Sequence, residues 1–169
     1  MTAPNLVELW EAHCRFEFQT RDATATMATM VRQPYVNHIP TMTGGVGHEQ
    51  LKRFYAHHFI PVNPPDLSLI PVSRTVGREC VVDEFIVRFT HTTEIDWLLP
   101  GIAPTGRKVE VPAVAIVKFE GDKVWRTSIS TGTRLRYLCR SGCLIRRVCR
   151  WPERRRLTRW LINLCQVIN

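Results

Sequence analysis

Histidine, tyrosine and carboxylate side chains stand beside apolar residues in three stretches of the sequence, and these residue types suit general acid–base chemistry. The stretch "VRFTHTTEIDW" carries His91, Glu94 and Asp96. Burial moves the pKa of carboxyl and imidazole groups toward neutrality, where they exchange protons with a substrate most efficiently. Such residues in an apolar setting therefore predict a site that transfers protons, although Glu94 is expected to be exposed.

The two stronger candidates in this stretch each have two interpretations. His91 continues the alternating apolar face of residues 85–89, so its imidazole should point to the same side. It is either a pocket acid or base, or a core histidine with a satisfied hydrogen bond, and the sequence favours neither. Asp96 stands between Ile95 and Trp97, which is costly for an unpaired carboxylate. Asp96 is either a catalytic base or a structural group that caps the strand end or forms a salt bridge there. The sequence slightly favours the structural interpretation.

Two further stretches add an imidazole and a phenol each. His57 and His58 are adjacent on a predicted helix and point about 100° apart. His58 is the better candidate, because it lies one turn from Tyr55. In "PYVNHIP", Tyr35 could donate a hydrogen bond to a carbonyl or enolate oxygen, with His38 nearby. Loop packing is the alternative for both. The histidines have no paired ligand spacing, so we predict no metal site.

The elements that must position these residues change along the chain from helices to strands. Helices are predicted over residues 4–19, over "ATATMATMV" behind Asp22, and over "GHEQLKRFYAHHFI", with extended chain in "PYVNHIPTMTGG". Strands are predicted in "DLSLIPVSRTV", "ECVVDEFIVRFTHTTEIDW" and "KVEVPAVAIVKFE", and "GDKVW" turns into another. This order predicts an α+β fold, with the helices packed on one face of a curved antiparallel sheet.

Composition divides the chain of 169 residues near Trp125. The net charge is +8, yet residues 126–169 hold eleven Arg, no Lys and one acid, a net of +10, which leaves −2 on residues 1–125. Four of the six Cys lie in the same basic segment. No apolar run is long enough to span a bilayer and the N-terminus has no signal-peptide pattern, so we expect a cytoplasmic protein.

The body of the sequence resembles a known family. The segments "ATMATMVRQPYVNHIPTMTGGVGHEQLKRFYAHHFI", "HTTEIDWLLPGIAPTGRKVEVPAVAIV" and "FEGDKVW" resemble SnoaL-like, polyketide cyclase-like members of the nuclear transport factor 2-like superfamily. The resemblance covers roughly residues 6–125 and implies a cone-shaped fold with an apolar pocket between helices and sheet. Members of this branch are often labelled dienelactone hydrolase or carboxymethylenebutenolidase, although the chain has no nucleophile elbow of the α/β-hydrolase kind.

The resemblance ends after "GDKVW", where the family continues with a last strand that carries Tyr-Trp-Asp-Gln and a later Leu-Leu-Asp-Pro. Written TAC TGG GAC CAG and read one base later, the first motif gives residues 131–134, Thr-Gly-Thr-Arg. Written CTG CTT GAT CCG and shifted likewise, the second gives residues 143–146, Cys-Leu-Ile-Arg. We therefore predict a domain over residues 1–125 that lacks the last strand with its catalytic Asp. Residues 126–169 would be an out-of-frame basic tail.

Other interpretations of the tail rank lower. Cys139, Cys143 and Cys149 lack the paired spacing of structural zinc sites. The segment after Pro152 could form a basic amphipathic helix suited to an anionic membrane or a partner groove. Its Arg run could also contact phosphate backbones without sequence preference, so no specific nucleic acid is predicted.

The resemblance implies a cofactor-independent isomerase, cyclase, dehydratase or hydrolase that acts on a small apolar carbonyl or lactone compound. The loss of the last strand would impair this copy and would also put the family's homodimer in question. The alternatives are a non-catalytic ligand-binding or dimerisation module of the same fold, or a scaffold that presents the basic tail. The predicted catalytic residues are His91, Asp96, His58 and His38, and the predicted substrate contacts are Tyr35, Tyr55, Phe89 and Trp97.

Overall fold

The computed structural model describes residues 4–39 and 41–131. Helices come first and strands dominate the second half, as the sequence predicts. The elements in chain order are α1 Leu6–Phe18, α2 Ala23–Ala28, β1 Met30–Ile39, β2 Thr43–Val46, α3 His48–Arg53 with a π-helical continuation Phe54–Phe59, β3 Ser68–Val76, β4 Cys80–Thr90, β5 Lys108–Glu120 and β6 Lys123–Thr131.

Side-chain caps fix the starts of the first two helices. The Asn5 side chain accepts hydrogen bonds from the first turn of α1, and the Asp22 side chain does the same for α2. The predicted helix over residues 4–19 and the predicted Asp22 cap are thus confirmed. The second helix is shorter than predicted, because the chain enters β1 at Met30.

The six strands form one sheet in the order β2-β1-β6-β5-β4-β3. The α+β fold class, with helices beside one curved sheet, is confirmed, but two details differ. The segment predicted as extended chain is the hairpin β1–β2, and β1 pairs with β6 in parallel, so the sheet is mixed rather than antiparallel. Irregularities in register interrupt the β1–β6, β3–β4 and β5–β6 pairs, and such bulges bend a sheet.

The last strand is present through Thr131, which corrects the expectation that the ordered sheet ends near residue 125. β6 is central and bonds to β1 on one side and β5 on the other. Its sequence suits the position: Thr127 and Ile129 are buried, while Ser128 and Ser130 alternate with them on the other face. The predicted helical tail lies outside the described residues.

The concave face of the sheet and the inner face of α1 make the core. Alternate residues of β4 and β5, from Val81 to Phe89 and from Val109 to Phe119, are buried. Leu6, Trp10, His13 and Glu17 of α1 pack against them. The result is an apolar core with several polar side chains sealed inside it.

Two connections between elements are fixed by their backbone geometry. β4 ends at Thr90, not at Trp97 as predicted, because the backbone of His91 bonds to Thr105, Gly106 and Arg107 and closes residues 91–107 into a loop. The hairpin β1–β2 needs Gly44: its φ is +131° and a Cβ there would lie 2.2 Å from the Val36 carbonyl oxygen.

The helices over the described residues are all too short or too polar to cross a membrane.

Candidate active site

A chain of buried polar side chains runs through the core beneath α1. His13 and Glu17 lie one turn apart on the helix face that packs against the sheet, and both are almost completely buried. Nε2 of His13 lies 3.1 Å from Oε1 of Glu17, in a contact that is poorly aligned for a hydrogen bond. The two groups form a histidine–carboxylate pair shielded from water.

The hydrogen bonds of Thr29 fix one proton of this pair. The Thr29 hydroxyl donates to the Thr26 carbonyl oxygen at 2.6 Å, so it has no second hydrogen to give. It must therefore accept from Nδ1 of His13, which lies 2.6 Å away. With Nδ1 protonated, any further proton of the pair resides between Nε2 of His13 and the Glu17 carboxyl group.

Tyr55 contacts the other side of Glu17. Its side chain is fully buried at the start of the π-helical segment and hydrogen-bonds to Glu17. Burial and the nearby Glu17 charge raise the pKa of Tyr55 well above its ordinary value, so the phenol stays protonated and donates to the carboxylate. Tyr55 also packs edge-on against His13, with ring centroids 6.3 Å apart.

Glu17 borders a small enclosed cavity of about 20 Å³ between α1, the sheet and the loop after β4. Among the described residues Glu17 is the one charged member of the lining, and the rest is almost entirely apolar. The lining residues are Trp10, Cys14, Glu17, Phe18, Phe59, Leu69, Phe85, Val87, Trp97, Ile129 and Thr131. A volume of about 20 Å³ holds about one water molecule, so only the reacting edge of a ligand, and not the whole ligand, could meet Glu17 there.

A larger open groove of about 660 Å³ lies outside this cavity, between α1 and strands β3 and β4. The groove and the cavity have five lining residues in common: Trp10, Cys14, Phe18, Leu69 and Phe85. A ligand that lies on these five side chains could reach Glu17 only where part of it extends from the groove into the cavity. Burial raises the pKa of the Cys14 thiol, which disfavours a thiolate nucleophile there.

His38, a predicted catalytic residue, is buried within a cage of aromatic rings. Its centroid lies 4.9 Å from Trp97, 5.4 Å from Phe59 and 5.5 Å from Phe54. Burial lowers the pKa of His38 to about 4, so the ring is neutral near pH 7. Nδ1 lies 3.3 Å from the Thr43 carbonyl oxygen, while the buried Nε2 has no hydrogen-bond partner among the described residues.

His91 is buried just beyond the end of β4, on the face that the alternation predicts. Its Nδ1 lies 3.2 Å from the Thr105 hydroxyl, and its ring packs edge-on against Phe89 at 6.4 Å. Burial lowers the pKa of His91. It does not line the cavity, and its setting is that of the core histidine with a hydrogen bond rather than that of the pocket acid or base.

His58 and Asp96 form a second histidine–carboxylate pair, at the surface. Nδ1 of His58 lies 2.7 Å from Oδ2 of Asp96, and the two side chains are 54% and 37% exposed. The structure thus brings these two predicted catalytic residues together, but away from the cavity. Asp96 has the salt bridge that the sequence slightly favoured. His58 lies outward because its π-helical segment turns Phe54, Tyr55 and Phe59 inward.

The predicted substrate contacts lie partly at the cavity and partly away from it. Trp97 lines the cavity, held by a 2.9 Å hydrogen bond from its Nε1 to Oδ1 of Asn63. Phe89 is buried on the same sheet face as Phe85 and Val87. Tyr35, expected to point into the pocket, lies on the opposite face of β1, with the Arg126 guanidinium 5.0 Å from its ring centroid.

His13 and Glu17 were not singled out from the sequence, although a signal for them exists. With Leu6 and Trp10 they recur at intervals of four, three and four residues, which is the period of a helix face. A histidine and a glutamate on an otherwise apolar stripe indicate buried polar groups that need partners. The described residues include no group of three or more His, Cys, Asp or Glu side chains arranged to hold a metal ion.

The family model of the SnoaL-like domain matches residues 10–127. The chain belongs to this family. The match takes in His13, Glu17 and Tyr55, together with most of the cavity lining.

Solved structures with little sequence identity have the same fold. A protein assigned as a polyketide cyclase from Acidithiobacillus ferrooxidans aligns with TM-score 0.61 and 15% identity over 85% of this chain and 99% of that one. A protein with a ketosteroid isomerase-like fold from Catenulispora acidiphila, in complex with trimethylamine, aligns with TM-score 0.60 and 14% identity over 83% of this chain and 95% of that one. The epoxide hydrolase/cyclase-like enzyme SalBIII, involved in pyran ring formation in salinomycin, aligns with TM-score 0.56 and 12% identity over 75% and 90%. No curated protein matches the sequence significantly.

Proposed function

We propose that this SnoaL-like protein is a cofactor-independent acid–base enzyme that acts on a small, largely apolar carbonyl or lactone compound. The observation that carries the proposal is the buried chain His13–Glu17–Tyr55 at the wall of the cavity. Isomerisation, cyclisation, dehydration and hydrolysis all need a proton taken from one atom and returned to another. The proposed site holds the groups for both transfers.

Glu17 is the proposed general base. Its carboxylate removes a proton from the carbon next to the substrate carbonyl, and the electron pair moves onto the carbonyl oxygen as an enolate. The proton then resides between Glu17 and Nε2 of His13, because Nδ1 of His13 is already protonated toward Thr29. Its return to a different substrate atom completes the reaction and restores the carboxylate.

His38 and Tyr55 have different roles in this scheme. Tyr55 is a positioning residue, since its phenol is fully buried and donates to Glu17. His38 has a structural role: its Nδ1 donates to the Thr43 carbonyl oxygen, so in the neutral ring Nε2 carries no proton and cannot donate to the enolate oxygen. Its ring packs on Phe59 and Trp97 and supports the cavity wall.

Deuterium exchange separates the enzyme from a non-catalytic binding module. The full chain is incubated in D₂O with 2-tetralone and with α-angelica lactone, and the loss of the hydrogens next to the carbonyl is followed by ¹H NMR. The proposal expects exchange of at least one compound well above the rate in buffer alone. Saturable binding of both compounds with no added exchange would favour the binding module.

We also propose that a single-base deletion near codon 126 produced the basic segment. The division of charge and the two codon matches in one phase support it. In the other frame the family's Tyr codon falls on position 131, and Thr131 lines the cavity, so a Tyr there would face the site. The Asp codon falls on position 133, outside the described residues.

The coding DNA tests this directly. The neighbouring frame should encode a family-like last strand from about codon 126, and a chain with that frame restored should exchange substrate protons faster than this one. If the neighbouring frame encodes no such strand, the frame proposal is wrong, while the proposal for Glu17 is unaffected.

A further inference from the structure

The open groove between α1 and strands β3 and β4 has an apolar floor and a charged rim. Trp10, Phe18, Leu67, Leu69 and Phe85 form most of the floor. The charged residues in the lining are Glu11, Arg15, Arg74 and Asp83, two of each sign. The volume of about 660 Å³ lies in the range of small-molecule sites.

Three of these four charges are already paired with one another. The Arg74 guanidinium donates to both carboxylate oxygens of Asp83, at 3.1 and 2.9 Å, and to Oε1 of Glu11 at 2.7 Å. Asp83 also accepts the Trp10 indole N–H at 2.9 Å. Asp83 thus accepts three hydrogen bonds through both of its oxygens, whereas Glu11 accepts one and is 58% exposed.

Arg15 is the charge that this network leaves out. It follows Glu11 by four residues, the spacing at which a glutamate and an arginine on a helix can pair. Glu11 turns to Arg74 instead, and the exposed Arg15 side chain has no ion pair among the described residues. The groove thus presents one uncompensated guanidinium beside an apolar floor.

We infer that Arg15 binds a carboxylate on the substrate, so that the enzyme's ligand is a small apolar carbonyl or lactone compound with an acidic substituent. This inference rests on the proposed function only in placing the carbonyl end of the same ligand at Glu17. The apolar part lies on the floor that the groove and cavity have in common, and the carboxylate meets the planar guanidinium, whose N–H groups match its two oxygens.

A pair of probes that differ only in charge tests the inference on the full chain. Naphthalene-2-carboxylate and naphthalene-2-carboxamide have nearly the same shape, and isothermal titration calorimetry gives the Kd of each. For an exposed ion pair, the carboxylate should bind about threefold to fivefold more tightly. The preference should decline as salt is added.

Three substitutions assign the preference to the groove. Arg15→Gln should bring the two affinities to within about 1.5-fold, and Glu11→Gln should widen the difference, because it removes a competing anion from the rim. Arg32→Gln is the matched control: Arg32 is exposed on β1, outside the groove, and should leave the preference unchanged. The control also accounts for general attraction of anions to a chain of net charge +8.

The inference is overturned if neither probe binds, if the wild-type chain binds both equally, or if Arg15→Gln keeps the wild-type preference. Its failure is distinguishable from that of the proposed function. Carboxylate preference without proton exchange refutes the acid–base proposal alone. Proton exchange without carboxylate preference refutes only the role of Arg15.

Discussion

The protein contains two histidine–carboxylate pairs in opposite surroundings. The surface pair, His58–Asp96, has the shorter contact, 2.7 Å, and both side chains are partly exposed, although Oδ1 of Asp96 is buried. The interior pair, His13–Glu17, is 3.1 Å apart and almost wholly buried beside a cavity. Distance alone would favour the surface pair as the reactive one, but surroundings favour the interior pair.

Exposure to water explains why the surroundings of the two pairs matter more than their distances. At the surface, high dielectric screening and the cost of ordering two side chains reduce an ion pair to a small net stabilisation. In the core the same groups cannot be rehydrated, so they depend on their hydrogen-bond partners, Thr29 for His13 and Tyr55 for Glu17. Loss of a partner is therefore costly for the buried pair, whereas water can replace a lost partner in the surface pair.

The largest contrast in stability is expected from removing each carboxylate. Glu17→Ala leaves His13 and Tyr55 buried without their partner and should lower the free energy of unfolding by about 3–5 kcal/mol. Asp96→Ala should lower it by less than about 1 kcal/mol. Urea unfolding followed by circular dichroism measures both. Equal losses would mean that burial does not distinguish the pairs.

Acid should destabilise the protein through its buried imidazole at His38. Its pKa falls from an ordinary 6.5 to about 4 on folding, so between these values the unfolded chain binds the extra proton. Stability is therefore complete above pH 6.5 and is lost as the pH falls toward 4, at about 1.4 kcal/mol per pH unit and about 3 kcal/mol in all.

Urea titrations from pH 4 to 7 should show a shallower pH dependence for His38→Phe than for the wild-type chain. Phenylalanine can keep the packing on Phe54, Phe59 and Trp97 but cannot titrate. A His38→Phe curve parallel to that of the wild-type chain would show that His38 is not the group responsible.

Removing the phenol hydroxyl tests the other side of the interior pair. Tyr55→Phe keeps the ring contacts but deletes the donor to Glu17, and should cost about 1–2 kcal/mol. Proton exchange should slow while the affinity for a ligand changes little, because Tyr55 positions the base and does not touch the cavity. An unchanged exchange rate would remove Tyr55 from the site.

The smallest effect is expected at the surface histidine. His58→Gln should change stability by about 0.5 kcal/mol or less, and 1 M NaCl should abolish the difference. A salt-independent loss of several kcal/mol would contradict the assignment of this pair to the solvated surface.

Parts of this arrangement could be predicted from the sequence for clear physical reasons. Apolar spacing and the Asn5 and Asp22 caps determine α1 and α2, and the alternation in β4 predicts the inward side of His91. The outward side of Tyr35 follows from the register of β1, and the sequence predicts only extended chain there.

The interior pair depends on packing that no local pattern reveals. His13 forms a hydrogen bond with Thr29, and Glu17 forms one with Tyr55. Both partners lie on other elements of the fold. The surface pair likewise joins residues 38 positions apart. The sequence indicates which residue types are suited to proton transfer, but the tertiary structure decides which of them meet at a cavity.

We propose Glu17, and not Asp96, as the base. Deuterium exchange into a ketone or lactone that the wild-type chain turns over can be compared between Glu17→Gln and Asp96→Asn at equal folded fractions. The expected loss of exchange rate is about 10²-fold or more for Glu17→Gln and less than about twofold for Asp96→Asn. Exchange that survives Glu17→Gln but is lost in Asp96→Asn would contradict it.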